Sequence, residues 1–212
     1  NPEDVLDWDS YPTYEAYVQM MHDFADNNPS ICKLYSIGQT VEGRELLFVK
    51  ISDNVNKREP EPQFLYTSTM HGDETTGYIL MLHLIDYLLS NYRSDSRVRN
   101  LVNNLEIWIN PLANPDGTYH GGNNSVQGAM RYNANYVDPN RNFPDPDDGP
   151  HPDGEVYQPE TVAMMSLADS NNFIMSANFH GGAEVVNYPW DTWYARHPDD
   201  AWFQTVSHEY AD

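Results

Sequence analysis

Residues 67–89 read TSTMHGDETTGYILMLHLIDYLL. An apolar, strand-like run, Gln63–Met70, gives way here to a helical pattern in which Ile79, Leu82, Ile85, Leu88 and Leu89 recur on one face. His71 and Glu74 stand three residues apart at the corner between them. One reading makes His71 a buried, hydrogen-bonded histidine and Glu74 a member of the helix's first turn, where the macrodipole favours negative charge. The other makes them two ligands of one metal ion. An H-x-x-E spacing does not choose between these readings; a third ligand and a substrate site are required.

Upstream, Thr13–Asn27 predicts an amphipathic helix with Tyr14, Tyr17, Val18, Met21 and Phe24 or Ala25 at helical spacing. ICKLYSIG and RELLFVKIS predict strands around the turn QTVEG, and a charged, proline-containing loop, Asp53–Pro62, precedes the opening stretch. Downstream, NLEIWINPLANPDG predicts a strand ended by Pro111, Pro115 and Gly117, with Asp116-Gly117 read as a turn. Thr118–Pro159 is rich in Asn, Asp, Gly and Pro, with little periodicity. Loops of that length within a compact domain are commonly functional, and this one contains RYNANYVDPNRNFPD. PETVAMMSLADSN predicts a helix, FIMSANFH a buried strand ending at His180-Gly181-Gly182, and WFQTVSHEYAD a last helix. Alternating strands and helices predict an α/β fold, a central mixed β-sheet with flanking helices, whose sites lie at the carboxyl ends of strands. His71 and His180 fall at two such ends.

The bulk composition excludes several functions. With 212 residues and 40% hydrophobic content, the chain is long enough for one substantial core. The 32 acidic against 11 basic side chains give a net charge of −21, which argues against nucleic acid or anionic membranes as partners and attracts cationic ligands. Solubility, or life in a saline medium, is the simpler account of most of that charge. Cys32 is the single cysteine, so no intrachain disulfide forms. No apolar run approaches the length of a membrane span. Asn123-Asn124-Ser125 matches the glycosylation triplet, a pattern short enough to arise by chance.

Two histidines and a glutamate make a three-ligand zinc site with a fourth position free for water. His180 supplies the third ligand, 109 residues after His71. Ligands from two strand ends suit a preorganised site on rigid elements.

HGDE, NPDG, DPNRNF, QPET and NFHGG, in this order, resemble the zinc metallocarboxypeptidases, and among them the carboxypeptidases D, E, M and N. The resemblance runs from YPTYEAY almost to the end of the chain and identifies residues 1–212 as the N-terminal part of a catalytic domain of that kind, incomplete in this chain. It implies one zinc ion held by His71, Glu74 and His180, with Asp138 behind His71 to orient the ring. It implies Asn140 and Arg141 as the pair that holds a substrate's C-terminal carboxylate. Arg131 becomes the arginine that polarises the scissile carbonyl. Asp191 aligns with the acid that selects C-terminal Lys or Arg in a side-chain pocket. As plain residues, Arg131 and Arg141 would be surface cations in a polar loop and Asp191 an acid in an aromatic loop. His22, His83, His120, His151, His197 and His208 have no spacing that marks them as ligands.

The implied activity is removal of C-terminal Lys or Arg from peptides or proteins with a free C-terminus, by a monomer working in an extracellular or periplasmic setting. The family's general-base glutamate and mobile tyrosine are expected after Asp212. A chain without that base would instead be a non-catalytic protein that binds zinc and peptide C-termini.

Overall fold

The computed structural model describes residue 8 and residues 10–211. Its architecture starts from α1 (Tyr14–Asn27), where the Thr13 hydroxyl accepts the Ala16 amide proton at 3.1 Å and so satisfies one of the helix's free amides. The apolar stripe of α1 buries Tyr17, Met21 and Phe24. β1 (Cys32–Gln39) and β2 (Glu45–Ile51) form an antiparallel hairpin in which Cys32 faces Ile51. β3 (Gln63–Ser68), α2 (Thr76–Asn91), α3 (Ser96–Val102), β4 (Glu106–Asn110) and the single turn α4 (Pro115–Thr118) follow. After the long loop come α5 (Pro159–Ser170), β5 (Phe173–Phe179) and α6 (Asp200–Ala211).

The five strands form one mixed sheet in the order β1-β2-β4-β3-β5. β2 pairs antiparallel with both β1 and β4, and β3 is parallel to both β4 and β5. Strand alternation sorts the core into two layers. Leu47, Val49 and Ile51 of β2, with Ile107 and Ile109 of β4, join α1, α2 and α3 in the larger cluster. Phe48 and Trp108 point the other way and pack on Leu167 of α5. Each fully buried aliphatic side chain of this kind contributes about 1.5–3 kcal/mol relative to exposure. Among the described residues no helix is long and apolar enough to cross a membrane.

Two local expectations are corrected. Ile79 is only half-buried, and Tyr78 and Met81 take its place in the buried stripe of α2, because the stripe follows Tyr78, Leu82 and Ile85 toward the sheet. β5 is not a buried strand: Phe173, Met175, Ala177 and Phe179 are half-buried while Ile174, Ser176 and Asn178 are exposed. It is an edge strand among the described residues, covered on one face. Asp116 stands in the turn expected at NPDG. It lies buried in α4 and pairs with Arg44 at 2.7 Å, while accepting from the Thr40 hydroxyl at 2.8 Å and the Glu42 amide at 2.9 Å. That pair ties the β1–β2 turn to the NPDG turn. The Asn123 side chain is engaged in the same corner, accepting from Arg44 and donating to Glu15.

Candidate metal centre and its loop

β3 and β5 lie side by side and parallel, with Ser68 opposite Phe179 at their last shared position. The segments that follow therefore leave the sheet at the same end, which brings His71 and His180 together despite their separation in sequence. Thr69 turns the chain off β3 with a φ of +58°, a conformation rare for a β-branched residue and costing about 1–3 kcal/mol. Its buried hydroxyl lies 3.0 Å from Ser68 Oγ and donates to the Glu74 carbonyl at 3.3 Å, which holds the turn. Glu74 lies before α2, not in its first turn; its amide donates to the His71 carbonyl at 3.1 Å. Gly72 sits so close to the Gly117 and Thr118 backbone that a Cβ would collide there. The Asn114 amide group bridges the carbonyls of Met70 at 3.1 Å and Arg131 at 3.3 Å, joining the His71 turn to the long loop.

Three donor side chains converge at this end of the sheet, with ligand atoms of His71, Glu74 and His180 all within 4.8 Å of one another. Glu74 Oε1 is 2.9 Å from His71 Nδ1, and Glu74 Oε2 is 2.8 Å from His180 Nδ1. The two Nδ1 atoms are 3.2 Å apart. His71 Nε2 lies 3.1 Å from Asp138 Oδ1, and a carboxylate only accepts, so that contact places the ring proton on Nε2. The Nδ1 lone pair then faces a carboxylate oxygen and a second imidazole nitrogen. Only a proton or a cation between them makes that arrangement favourable, so the residues fit a divalent metal, and a His2Glu donor set suits zinc.

Arg131 is ion-paired to Asp138 through Nη2 at 2.8 Å and Nε at 2.9 Å, and its Nη1 comes within 3.2 Å of His71 Nδ1 and 3.8 Å of Glu74 Oε1. It is therefore part of the cluster and not a free surface cation. Both carboxyls are held below the usual range. For Glu74, burial alone would raise it, but the Gly181 amide and the two imidazoles outweigh burial. For Asp138, burial is again outweighed, by the Arg131 guanidinium and the Asn140 amide.

The remaining predicted site residues stand apart from this cluster. Asn140 and Arg141 lie on an exposed 3-10 turn, Pro139–Arg141, capped by Asp138. Arg141 donates to the Asn140 carbonyl at 2.9 Å, and no carboxylate lies within 4.0 Å of it among the described residues, which leaves its charge available. Asp191 is exposed, on a loop whose neighbour Thr192 donates to Asp145 at 2.8 Å. The enclosed acidic pocket expected around Asp191 is not formed among the described residues, because the surrounding aromatic side chains Trp190, Trp193 and Tyr194 are themselves exposed. Of the unmarked histidines, His197 is half-buried and His22, His83, His120, His151 and His208 are exposed.

Sequence reasoning gave no role to Asn114, Asn133 and Asn142, which are fully buried polar residues. The available signal was their place in NPDG, RYNANY and DPNRNF, where asparagine side chains can hold backbone turns.

A family model described as "Zinc carboxypeptidase" matches residues 17–212. Carboxypeptidase D of Mus musculus is 43% identical over 211 residues, covering 95% of this chain and 15% of that protein. Carboxypeptidase M of the same organism is 39% identical over 217 residues, covering 95% of this chain and 47% of that protein. The solved carboxypeptidase A of Helicoverpa armigera superposes with a TM-score of 0.81 at 21% identity, over 96% of this chain and 54% of that one, which shows the fold alone. The chain thus spans less than two thirds of each of these relatives.

Proposed function

This chain belongs to the zinc carboxypeptidase family, and on that premise we propose that it works in a zinc-dependent exopeptidase that removes C-terminal Lys or Arg from peptides and proteins outside the cytoplasm. The observation that carries the reading is the meeting of His71, Glu74 and His180 beside Arg131. These three side chains would hold one zinc ion, and Asp138 would keep the His71 ring in the tautomer that offers Nδ1. Zinc in such a site supplies a Lewis acid for the scissile carbonyl and lowers the pKa of a bound water to about 7.

The chain's own residues do the positioning. The Arg141 guanidinium, which meets no carboxylate among the described residues, suits a substrate's terminal carboxylate together with the Asn140 amide, since a planar fork can donate two parallel hydrogen bonds. That contact places the terminal peptide bond, and no internal one, near the cluster. Arg131 can swing a donor from Asp138 toward the carbonyl oxygen, where its charge is most useful as negative charge develops. Asp191 offers a carboxylate to a cationic C-terminal side chain, and the net charge of −21 assists encounter with basic peptides.

The test uses the intact zinc-loaded protein and two peptides identical except for a free or an amidated C-terminal Arg. Cleavage of the free form alone is expected, with loss of activity on chelation and recovery on zinc addition. Equal cleavage of both peptides would refute the exopeptidase reading.

A further inference from the structure

The QPET motif, Gln158–Thr161, has no part in the chemistry above, yet its polar side chains are almost wholly withdrawn from water: Gln158 is 4%, Glu160 3% and Thr161 1% exposed. They face the two ends of the segment 133–142, which carries Asp138, Asn140 and Arg141. At one end, Asn133 Nδ2 donates to Gln158 Oε1 at 3.0 Å and to Glu160 Oε2 at 3.2 Å. Asn133 Oδ1 accepts the amides of Asn135 and Val137, both at 3.0 Å, closing a tight turn in which Tyr136 has a φ of +60°. The Asn135 side chain adds a 2.8 Å bond to Gln158 Oε1. At the other end, Asn142 Oδ1 accepts the Gln158 amide at 2.7 Å and the Thr161 hydroxyl at 2.8 Å. Asn142 is the residue after Arg141.

We infer that Gln158, Glu160 and Thr161 form a clasp that positions the substrate-binding loop, setting where Asn140 and Arg141 stand relative to the three metal-binding side chains. The inference rests on the peptide C-terminus reading of that loop. The loop has only one short 3-10 turn of its own, so it lacks the backbone ladder that would otherwise define its shape. The clasp replaces that ladder with buried side-chain bonds, which water cannot substitute without opening the site. His71, Glu74 and His180 belong to segments following β3 and β5, outside the clasp. Loss of the Thr161 bond loosens the Asn142 end, so it displaces Arg141 first, while the Asp138–His71 contact and the turns carrying the donor atoms keep their own bonds. Gln158, Glu160 and Thr161 are positioning residues, acting through Asn133 and Asn142.

The decisive variant is Thr161→Val, which keeps the shape and removes the hydroxyl donor to Asn142. It is compared in the intact protein with Thr161→Ser, which retains the donor. Two readings are taken. Hydrogen exchange follows the Arg141 amide, which donates to the Asp138 carbonyl at 3.0 Å inside the loop. Steady-state kinetics follows free and amidated Arg-ending peptides. Thr161→Val is expected to speed Arg141 exchange about tenfold, the factor that accompanies loss of roughly one hydrogen bond. It should also raise KM for the free peptide by about tenfold on the same basis, with a smaller change in kcat. Thr161→Ser should restore both. Unchanged exchange, or faster exchange with native KM, overturns the clasp. A fall in kcat and melting temperature with native KM also overturns it, since a purely structural bond would act that way. If the native protein cleaves neither peptide, the proposed function fails, and Arg141 exchange alone then judges the clasp.

Discussion

Asp138 Oδ1 lies 3.1 Å from His71 Nε2, across a gap of 67 residues in sequence, and this contact holds the ring proton on Nε2 and leaves the Nδ1 lone pair free. Removing a carboxylate behind a ligating histidine typically weakens metal binding about 10–100-fold. Asp138→Ala is expected to weaken zinc binding by about that factor, measured by competition with a chelator, while His71→Ala abolishes tight binding. His83→Ala, on the exposed side of α2, should bind zinc as the native protein does.

Arg131 and Arg141 should fail differently. On the proposed function, Arg131→Ala should lower kcat by about 10²–10³ with little change in KM, because a donor in that role is used most as charge develops on the carbonyl oxygen. Arg141→Ala should chiefly raise KM for peptides with a free C-terminus. The two effects are separated by full steady-state curves on the intact protein, and identical effects on KM would contradict the division of roles.

Asp191 is exposed, and its consequence for specificity is correspondingly small. An exposed ion pair contributes about 0.2–1 kcal/mol, so pairing with a substrate Arg should favour it over Phe by roughly fivefold at most through this residue. Asp191→Ala should lower the Arg-to-Phe ratio of kcat/KM by that amount, and added salt should shrink the native preference in the same direction. A change of several hundredfold would mean that the carboxylate is enclosed in the working enzyme.

The Arg44–Asp116 pair should matter for folding. Asp116 is 1% exposed, and its removal leaves Arg44 with the exposed Glu42 as its carboxylate partner and strands the Thr40 hydroxyl and the Glu42 amide. Asp116→Ala should therefore destabilise the fold by about 1–3 kcal/mol, read from urea unfolding, with the β1–β2 turn the first region to lose protection.

Glu160 should show its burial in the pH dependence of stability. Burial raises its carboxyl above the value of 4.5 it has in the open chain. A raised folded value means that the folded state holds the proton more tightly. The stabilising contribution is therefore fully present below pH 4.5 and is lost as pH rises through the raised value. In metal-free protein, Glu160→Gln should remove that loss, so its urea midpoint relative to the native protein rises between acidic and neutral pH. A parallel pair of curves would show that Glu160 does not titrate differently in the two states.

Much of the fold was legible because the signals are local. The helix stripe of α1 follows from periodicity, since side-chain direction repeats with backbone geometry, and β2 and β4 follow from short apolar runs that the fold buries on both faces. β5 was misread from its apolar character, although the alternation of Phe173, Met175 and Ala177 with Ile174, Ser176 and Asn178 was present in the sequence. Burial depends on what covers each face of a strand, and a strand does not encode its own neighbours.

The sequence by itself determined the element types, the donor chemistry of His71, Glu74 and His180, and, through five short motifs, the family. Those properties belong to single residues and to spacings along the chain. Only the tertiary structure decided that β3 and β5 are parallel neighbours, so that their ends deliver the two histidines to one point, and that Asp138 and Arg131 reach that point from a loop. It also decided that Asp191 meets solvent while the QPET side chains do not. Convergence and burial are set by strand order and by packing between segments distant in sequence, where cooperative contacts outweigh local preference.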